Sequence, residues 1–464
     1  MDQSIKKVHF VGIEGTGMSA AARILAESNI QVTGSDLNPG VNCESLKNHR
    51  VYISKGHYAG NISKDIDLVV ISAAIPESNI EVQEARKKNI KVIKYSNLLG
   101  YLMEDKKGIT IAGTHGKSTT SSLIATMLSK SGMSPSFIIG AVLKNFRSNS
   151  YKGTGDYFVV EACEYDRSFL NLHPYIGIIT NIEPEHLDYY GTFENVVAAF
   201  CDYANLIPSD GCLIISEKAR KYLPSSMKCS VETYGLNNNS EWQAINIKRI
   251  KANYEFTVLH NGQEIGNFQL PLYGMHNIEN ALAAIATGYR LNIEKEKIQQ
   301  SLQVFKGIER RFDNLTPNSL ATIISDYAHH PTEIRATLKA WSELGNFKPK
   351  YLVFQPHQAS RTLLLFDEIV DALCEADADE IIICDIFFAR DSAEDKAKIH
   401  AKDLVEALKK KGKNALYLGE FYKILDYLRK RIKYDTSVLV MGAGNVIEVA
   451  EKLREHVEML KNSF

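Results

Sequence analysis

The segment Ile109-Thr-Ile-Ala-Gly-Thr-His-Gly-Lys-Ser-Thr-Thr120 sets a β-branched run, a glycine-flanked turn, and then a lysine with hydroxyls at the start of a helix. Those residue types in that order suit the phosphates of ATP. Glycines let backbone N–H groups approach an anion, the helix N-terminus adds the positive end of its dipole, Lys117 supplies a charge, and Ser118 or Thr119 can hold Mg²⁺. Against the pattern G-x-x-x-x-G-K-[ST], Ile111 stands where the first glycine belongs and Gly113 arrives two residues late, so the loop is a variant of that pattern. A glycine turn between any strand and helix accounts for Gly113 and Gly116 but not for Lys-Ser-Thr-Thr directly behind them.

Other polar clusters sit where strands are expected to end. Gly12-Ile-Glu-Gly-Thr-Gly17 follows a first strand and opens a helix, and Asp36 ends the next strand, where an acid that binds ribose would sit. The spacing disfavours NAD, because Glu14 takes the place of the glycine that lets a pyrophosphate approach. Another nucleotide diphosphate and a plain tight turn both remain open. Glu161 follows Phe158-Val-Val, and His186 closes Thr180-Asn-Ile-Glu-Pro-Glu-His. A carboxylate and an imidazole at strand ends can reach Mg²⁺ or a γ-phosphate, or else be an ordinary turn acid and a surface histidine. Asp326-Tyr-Ala-His-His-Pro-Thr-Glu333 and Gln355-Pro-His-Gln-Ala-Ser-Arg-Thr362 each join a strand to a helix. Taken singly they serve capping as well as function; together they favour a substrate site, with Arg361 able to pair a carboxylate or phosphate. Gly442-Ala-Gly-Asn445 is a glycine turn with no chemistry assigned.

Near-continuous apolar strands alternating with amphipathic helices predict parallel sheets covered on both faces. From residue 6 to about 105 this alternation describes a Rossmann-like unit, a second α/β region starting at Ile109 carries the phosphate loop, and a third begins near Ala321. A chain of 464 residues is expected to form two to four domains. Polar stretches at Glu104–Gly108 and Phe312–Asn318 place the boundaries at 1–106, 107–312 and 313–464. With 54 Lys and Arg against 55 Asp and Glu, no field marks a nucleic-acid or membrane-surface binder. The N-terminus reads as a strand rather than a secretory leader, and no apolar run approaches the ~20 residues of a membrane span, so a soluble cytoplasmic protein without membrane insertion is expected. Seven scattered cysteines with no Cys-x-x-Cys pair fit reduced, structural thiols.

The ordered blocks Gly12-x-x-Gly-Thr-Gly-Met-Ser19, Gly113-Thr-His-Gly-Lys-Ser-Thr119, Glu161-Ala-Cys-Glu-Tyr-Asp166, Thr180-Asn-Ile-Glu-x-x-His186, His276-Asn-x-x-Asn280, Arg310-Arg-Phe-Asp313, Asp326-Tyr-x-His-His-Pro-Thr332 and Phe354-Gln-Pro-His357 span nearly the whole chain and jointly resemble the Mur ligases. That resemblance implies three domains: an N-terminal Rossmann-like one for a UDP-sugar, a central P-loop-type ATPase with a mostly parallel sheet, and a C-terminal Rossmann-like one that brings the amino acid and swings closed. It implies ATP-driven amide formation through an acyl phosphate, with UDP-N-acetylmuramate and L-alanine as substrates, Mg²⁺ (or Mn²⁺) as cofactor, and a monomer or homodimer. By motif, Gly113, Thr114, His115, Gly116, Lys117, Ser118 and Thr119 would bind ATP with Asn277, Asn280, Arg311 and Asp326. Ser118, Glu161 and His186 would hold metal. Lys117, Glu161, His186, Arg311 and His329 would be catalytic, while Gly15, Thr16, Gly17, Met18, Asp36, His57, Ser72, His329, His357 and Arg361 would bind substrate. Two departures stand out: Cys163 in place of the family's aspartate, and Gln358 in place of an arginine. The alternatives are a ligase of the same family that joins a whole tripeptide, a non-catalytic relative, and an NAD oxidoreductase.

Overall fold

The computed structural model describes residues 4–237, 239–250, 253–317, 319–389 and 391–462. Asn318, at the end of one expected linker, and the first three residues lie outside these. The chain forms two compact units, Met1–Pro271 with Asn277–Gly307, and Leu272–His276 with Ile308–Phe464. The expected α/β class is what is found, with three sheets among the described residues.

The first unit opens with β1 (Lys7–Val11), β2 (Gln31–Asp36), β3 (Tyr52–Lys55), β4 (Leu68–Ile71) and β5 (Lys91–Lys94), all parallel, in the order β3-β2-β1-β4-β5. The central pair is buried on both faces: Val8, Phe10 and Val11 of β1 and all of β4 are covered, which is why these strands read as continuous apolar runs. Strand order reverses between β1 and β4, and a crevice at such a point is where α/β sheets take ligands.

The same unit carries a ten-stranded sheet of β6 (Lys107–Ala112), β7 (Ser136–Leu143), β8 (Ser148–Tyr151), β9 (Tyr157–Glu161), β10 (Pro174–Ile179), β11 (Cys212–Ser216), β12 (Ser230–Gly235), β13 (Trp242–Ile250), β14 (Asn253–His260) and β15 (Gln263–Leu270). Its order is β15-β14-β13-β12-β11-β10-β6-β9-β7-β8. Strands β6, β7 and β9–β13 pair in parallel; β8, β14 and β15 add antiparallel edges. The helix Lys117–Lys130 buries every residue from Thr119 to Leu128, so the turn before it is held from below by packed structure.

The second unit is built on β16 (Asp313–Asn314), β17 (Thr322–Asp326), β18 (Lys350–Phe354), β19 (Glu380–Cys384), β20 (Ala415–Gly419) and β21 (Ser437–Met441). Their order is β16-β17-β21-β18-β19-β20, parallel except for β16. Separate apolar clusters fill its two faces, one around Leu352, Phe354 and Leu439, the other around Ile323, Val353 and Val438. No helix among the described residues is long and apolar enough to cross a membrane. All seven cysteines are free.

Candidate active site

The loop between β6 and the helix Lys117–Lys130 is shaped by two glycines in backbone regions that side chains avoid, Gly113 at φ +134° and Gly116 at φ +81°. A Cβ on Gly113 would fall 2.0 Å from Thr180 Oγ1 and 3.0 Å from the Asn181 backbone nitrogen; on Gly116 it would fall 2.6 Å from Asn280 Oδ1. Gly113→Ala is therefore expected to destabilise the first unit by about 1–3 kcal/mol and to weaken nucleotide binding. Thermal melts with and without ATP check both, and a variant that melts and binds like the parent removes the steric argument.

The residues after β10 buttress this loop, a role that sequence reasoning did not assign. Thr180 Oγ1 donates to the His115 carbonyl at 2.5 Å, Asn181 Oδ1 accepts the His115 backbone N–H at 2.9 Å, and Thr114 Oγ1 accepts the Glu183 N–H at 3.0 Å. The His115 ring lies 3.4 Å from Glu183. Their signal was the run of polar groups directly behind an apolar strand. Asn280 closes the other side: its Oδ1 accepts from Thr120 Oγ1 at 3.2 Å and its Nδ2 donates to Asn277 Oδ1 at 3.0 Å. The loop, Asn277 and Asn280 are thus brought together.

Lys117 reaches back over the loop, donating to the Gly113 carbonyl, to Thr114 O at 3.2 Å, and to Glu164 Oε2 at 3.0 Å. Burial opposes its charge, but the Glu164 carboxylate outweighs that, so the lysine is held above its ordinary pKa and stays a cation at neutral pH. Glu164 also lies 3.9 Å from His186 Nε2, and its backbone carbonyl accepts the Tyr190 hydroxyl at 2.5 Å. Glu164 lies within the motif Glu161-Ala-Cys-Glu-Tyr-Asp166, whose local spacing does not announce the pairing with Lys117. Glu161 ends β9, and its Oε1 accepts the Gly140 N–H at 2.7 Å. Ser118 occupies the second position of the helix, partly exposed. Cys163 keeps exposed surface, yet the atoms packed around it and the Glu164 charge push its thiol up to about 11. A soft sulfur in place of a carboxylate is a poor match for a hard cation such as Mg²⁺.

In the N-terminal sheet, Gly15 caps the helix Thr16–Glu27, Gly17 packs beneath Tyr95, and Ser72 lies beside Gly12. The Met18 side chain is buried in the core, which leaves only its backbone to face an anion. Glu14, which stands in place of the fingerprint's second glycine, is tied to the next helix. Its carboxylate accepts the backbone N–H groups of Gly40 (2.8 Å), Asn42 (3.2 Å) and Cys43 (2.9 Å), capping the helix Val41–Lys47. Asp36 receives the Glu14 N–H at 3.0 Å and the Asn38 N–H at 3.0 Å, which sets the turn behind β2.

The second unit gathers its own polar cluster. Arg311 Nη1 donates to Glu333 at 3.2 Å. Burial again opposes the charge, while Glu333 and Asp326 outweigh it and hold Arg311 above the usual guanidinium value. Asp326 is buried and accepts from the Phe312 N–H (2.7 Å), the Ala328 N–H (2.7 Å) and Thr337 Oγ1 (3.1 Å); burial pushes its carboxyl upward. His329 Nδ1 lies 3.1 Å from Tyr327 O and 3.3 Å from Glu333, and its ring is 5.5 Å from that of His357. His357 stacks on Phe387 and faces Arg361 Nη1 at 3.1 Å. His330 serves the capping alternative, accepting the Thr332 N–H at the head of the helix Pro331–Ser342. Gln358 adopts φ +68° and caps the helix Ala359–Leu364. The glycine turn at 442–445 is structural: Gly442 O and Gly444 O accept from Arg310 at 3.0 and 2.7 Å.

A variant phosphate loop heading a buried helix, with a charged lysine and strand-end acids around it, defines an α/β protein built for nucleotide phosphates. Sequence profiles of the Mur ligase family catalytic domain, the Mur ligase middle domain and the Mur ligase glutamate ligase domain match residues 7–107, 111–288 and 310–444. The chain belongs to the Mur ligase family. It is 39% identical over 459 residues to the UDP-N-acetylmuramate--L-alanine ligase of Caldanaerobacter subterraneus subsp. tengcongensis, covering 98% of each chain. The crystal structure of the UDP-N-acetylmuramate-alanine ligase of Thermotoga maritima superimposes with a TM-score of 0.82 at 27% identity, over 99% of this chain and 100% of that one. A murein peptide ligase from Psychrobacter arcticus shares the fold at a TM-score of 0.70 and 22% identity, over 97% and 98% of the two chains.

Proposed function

We propose that this protein joins L-alanine to the lactyl carboxylate of UDP-N-acetylmuramate, driven by ATP, in the synthesis of peptidoglycan precursors in the cytoplasm. The observation that carries the reading is end-to-end similarity to an alanine ligase, 39% identical over 98% of both chains. The phosphate loop supplies the chemistry that this requires. A lactyl carboxylate oxygen attacks the γ-phosphorus, the bond to ADP breaks, and an acyl phosphate forms. The alanine amine then attacks the acyl carbon, loses a proton, and expels inorganic phosphate.

The main obstacle is charge, because a carboxylate must approach a polyanion. Lys117, held as a cation, offsets the charge of the phosphoryl group in transfer, together with the orphan N–H groups at the head of its helix. Ser118, Glu161 and His186 would hold Mg²⁺, or Mn²⁺; hydroxyl and carboxylate oxygens suit such hard cations, and a cation there supplies neutralisation of phosphate charge. Asn277, Asn280, Arg311 and Asp326 are assigned to the nucleotide, and His329, His357 and Arg361 to the amino acid and the reacting carboxylate. In the N-terminal domain, backbone groups of Gly15, Thr16, Gly17 and Met18 would meet the pyrophosphate, with Asp36, His57 and Ser72 toward the uridine. The test is ATP-dependent ligation with alanine, glycine, serine and the tripeptide in parallel. Alanine is expected to give the largest kcat/KM, and turnover with the tripeptide alone overturns the assignment.

A further inference from the structure

The N-terminal sheet buries a carboxylate for which the reaction has no use. Glu81, in the first turn of the helix Ile80–Lys87, has no exposed surface. Its Oε2 accepts from Ser35 Oγ at 2.5 Å and lies 3.4 Å from His9 Nε2 and 3.6 Å from His57 Nδ1. Its Oε1 accepts from Asn61 Nδ2 at 2.5 Å and from the Tyr58 backbone N–H at 3.1 Å. Burial alone would raise its pKa, but the hydrogen bonds from His9, Ser35 and Asn61 outweigh it and keep the group below the usual carboxylate range. Glu81 is therefore an anion and only an acceptor.

That fixes the direction of a hydrogen-bond chain. Ser35 has one hydroxyl hydrogen, and Glu81 takes it. His57 Nδ1 lies 3.0 Å from the same Ser35 oxygen, so Nδ1 must be the donor in that contact. In the neutral ring, Nε2 is left as a bare acceptor. Ser35 sits in β2 directly before Asp36, and His57 lies two residues beyond β3, both at the carboxyl ends of parallel strands where such sheets bind nucleotides. The loop bearing His57 is strapped down by the same Glu81, through Tyr58 and Asn61.

We propose that Ser35 and Glu81 are positioning residues that hold His57 as a hydrogen-bond acceptor and so select uracil among the pyrimidines. Uracil carries an N–H at ring position 3, whereas cytosine carries a lone pair there and would meet the acceptor with a second one. The inference rests on the reading of this domain as the UDP-sugar site. A mismatched pair of buried acceptors disfavours the wrong base by roughly tenfold to a hundredfold.

The test uses the full-length protein. Long-range ¹H–¹⁵N spectra should show His57 protonated at Nδ1, and calorimetric titration should show UDP binding at least tenfold tighter than CDP. Glu81→Gln, whose amide can donate toward Ser35 and His57 where the carboxylate only accepts, should admit the other tautomer, shrink the UDP-to-CDP ratio, and raise KM for the UDP-sugar more than it lowers kcat; Ser35→Thr, which keeps the hydroxyl, should leave all three unchanged. A His57 ring protonated at Nε2 in the unaltered protein, or equal affinity for UDP and CDP, overturns the proposal without recourse to any variant. Failure of UDP-N-acetylmuramate itself to bind sinks the UDP-sugar reading, and the tautomer role falls with it.

Discussion

Lys117→Ala should reduce ATP-dependent phosphate release by roughly a thousandfold or more while UDP-N-acetylmuramate still binds. The loop carbonyls of Gly113 and Thr114 and the Glu164 carboxylate converge on this one ammonium, and no other lysine belongs to the loop. Phosphoryl transfer depends mostly on placed positive charge, so removal of a cation from a partly buried site costs far more than a lost contact. The variant also strands Glu164 without its counter-ion, so some thermal stability should go with the activity. Phosphate release and calorimetric binding of the UDP-sugar separate the two effects. Unchanged turnover in a folded Lys117→Ala protein would remove Lys117 from the chemistry.

What was legible in the chain was local. The phosphate loop could be read because glycines, lysine and hydroxyls lie within a few residues of one another, and because an apolar strand on one side and a helix on the other dictate how they point. The three α/β regions were legible for a similar reason: strands such as Leu68–Ile71 and Ser437–Met441 are buried on both faces and so carry an unbroken apolar signature. The antiparallel edge β13–β15 was not anticipated, since Trp242–Ile250 and Gln263–Leu270 mix buried and exposed positions in a pattern that short surface segments share. Contacts across sequence were the harder part. The Glu14 carboxylate is held by a backbone N–H group 26 residues further on, a partner that no local pattern announces. Asp326, expected to face a ribose, also staples Phe312, Ala328 and Thr337 together, which depends on three segments meeting in space. Thr180 and Asn181 support the phosphate loop from over sixty residues away, and only the sheet order that sets β10 beside β6 explains why.

Glu164 belongs to the same class, and its replacement carries the second large expectation. Its side chain is 3% exposed and that of Lys117 is 17% exposed, so Glu164→Gln breaks a largely buried ion pair and should destabilise the first unit by about 3 kcal/mol. The pH dependence has a definite sign. In the folded protein Lys117 is held above its ordinary value, so the pair stabilises fully below the unfolded lysine pKa of about 10.4, and this is lost as pH rises through the folded value. The stability gap between the parent and Glu164→Gln should be constant below the lowered Lys117 pKa of the variant, narrow above it as deprotonation relieves the variant's buried unpaired charge, and narrow further as the parent's own lysine titrates. Activity should respond differently. Without the carboxylate, burial acts on Lys117 unopposed and lowers its pKa, so the alkaline limb of kcat/KM for ATP, which reports the free enzyme, should move to lower pH. The limb of kcat should move less, because bound phosphates replace the missing negative charge. A kcat/KM profile that superimposes on the parent's would show that Glu164 does not govern the charge of Lys117, whatever the stability measurement gives.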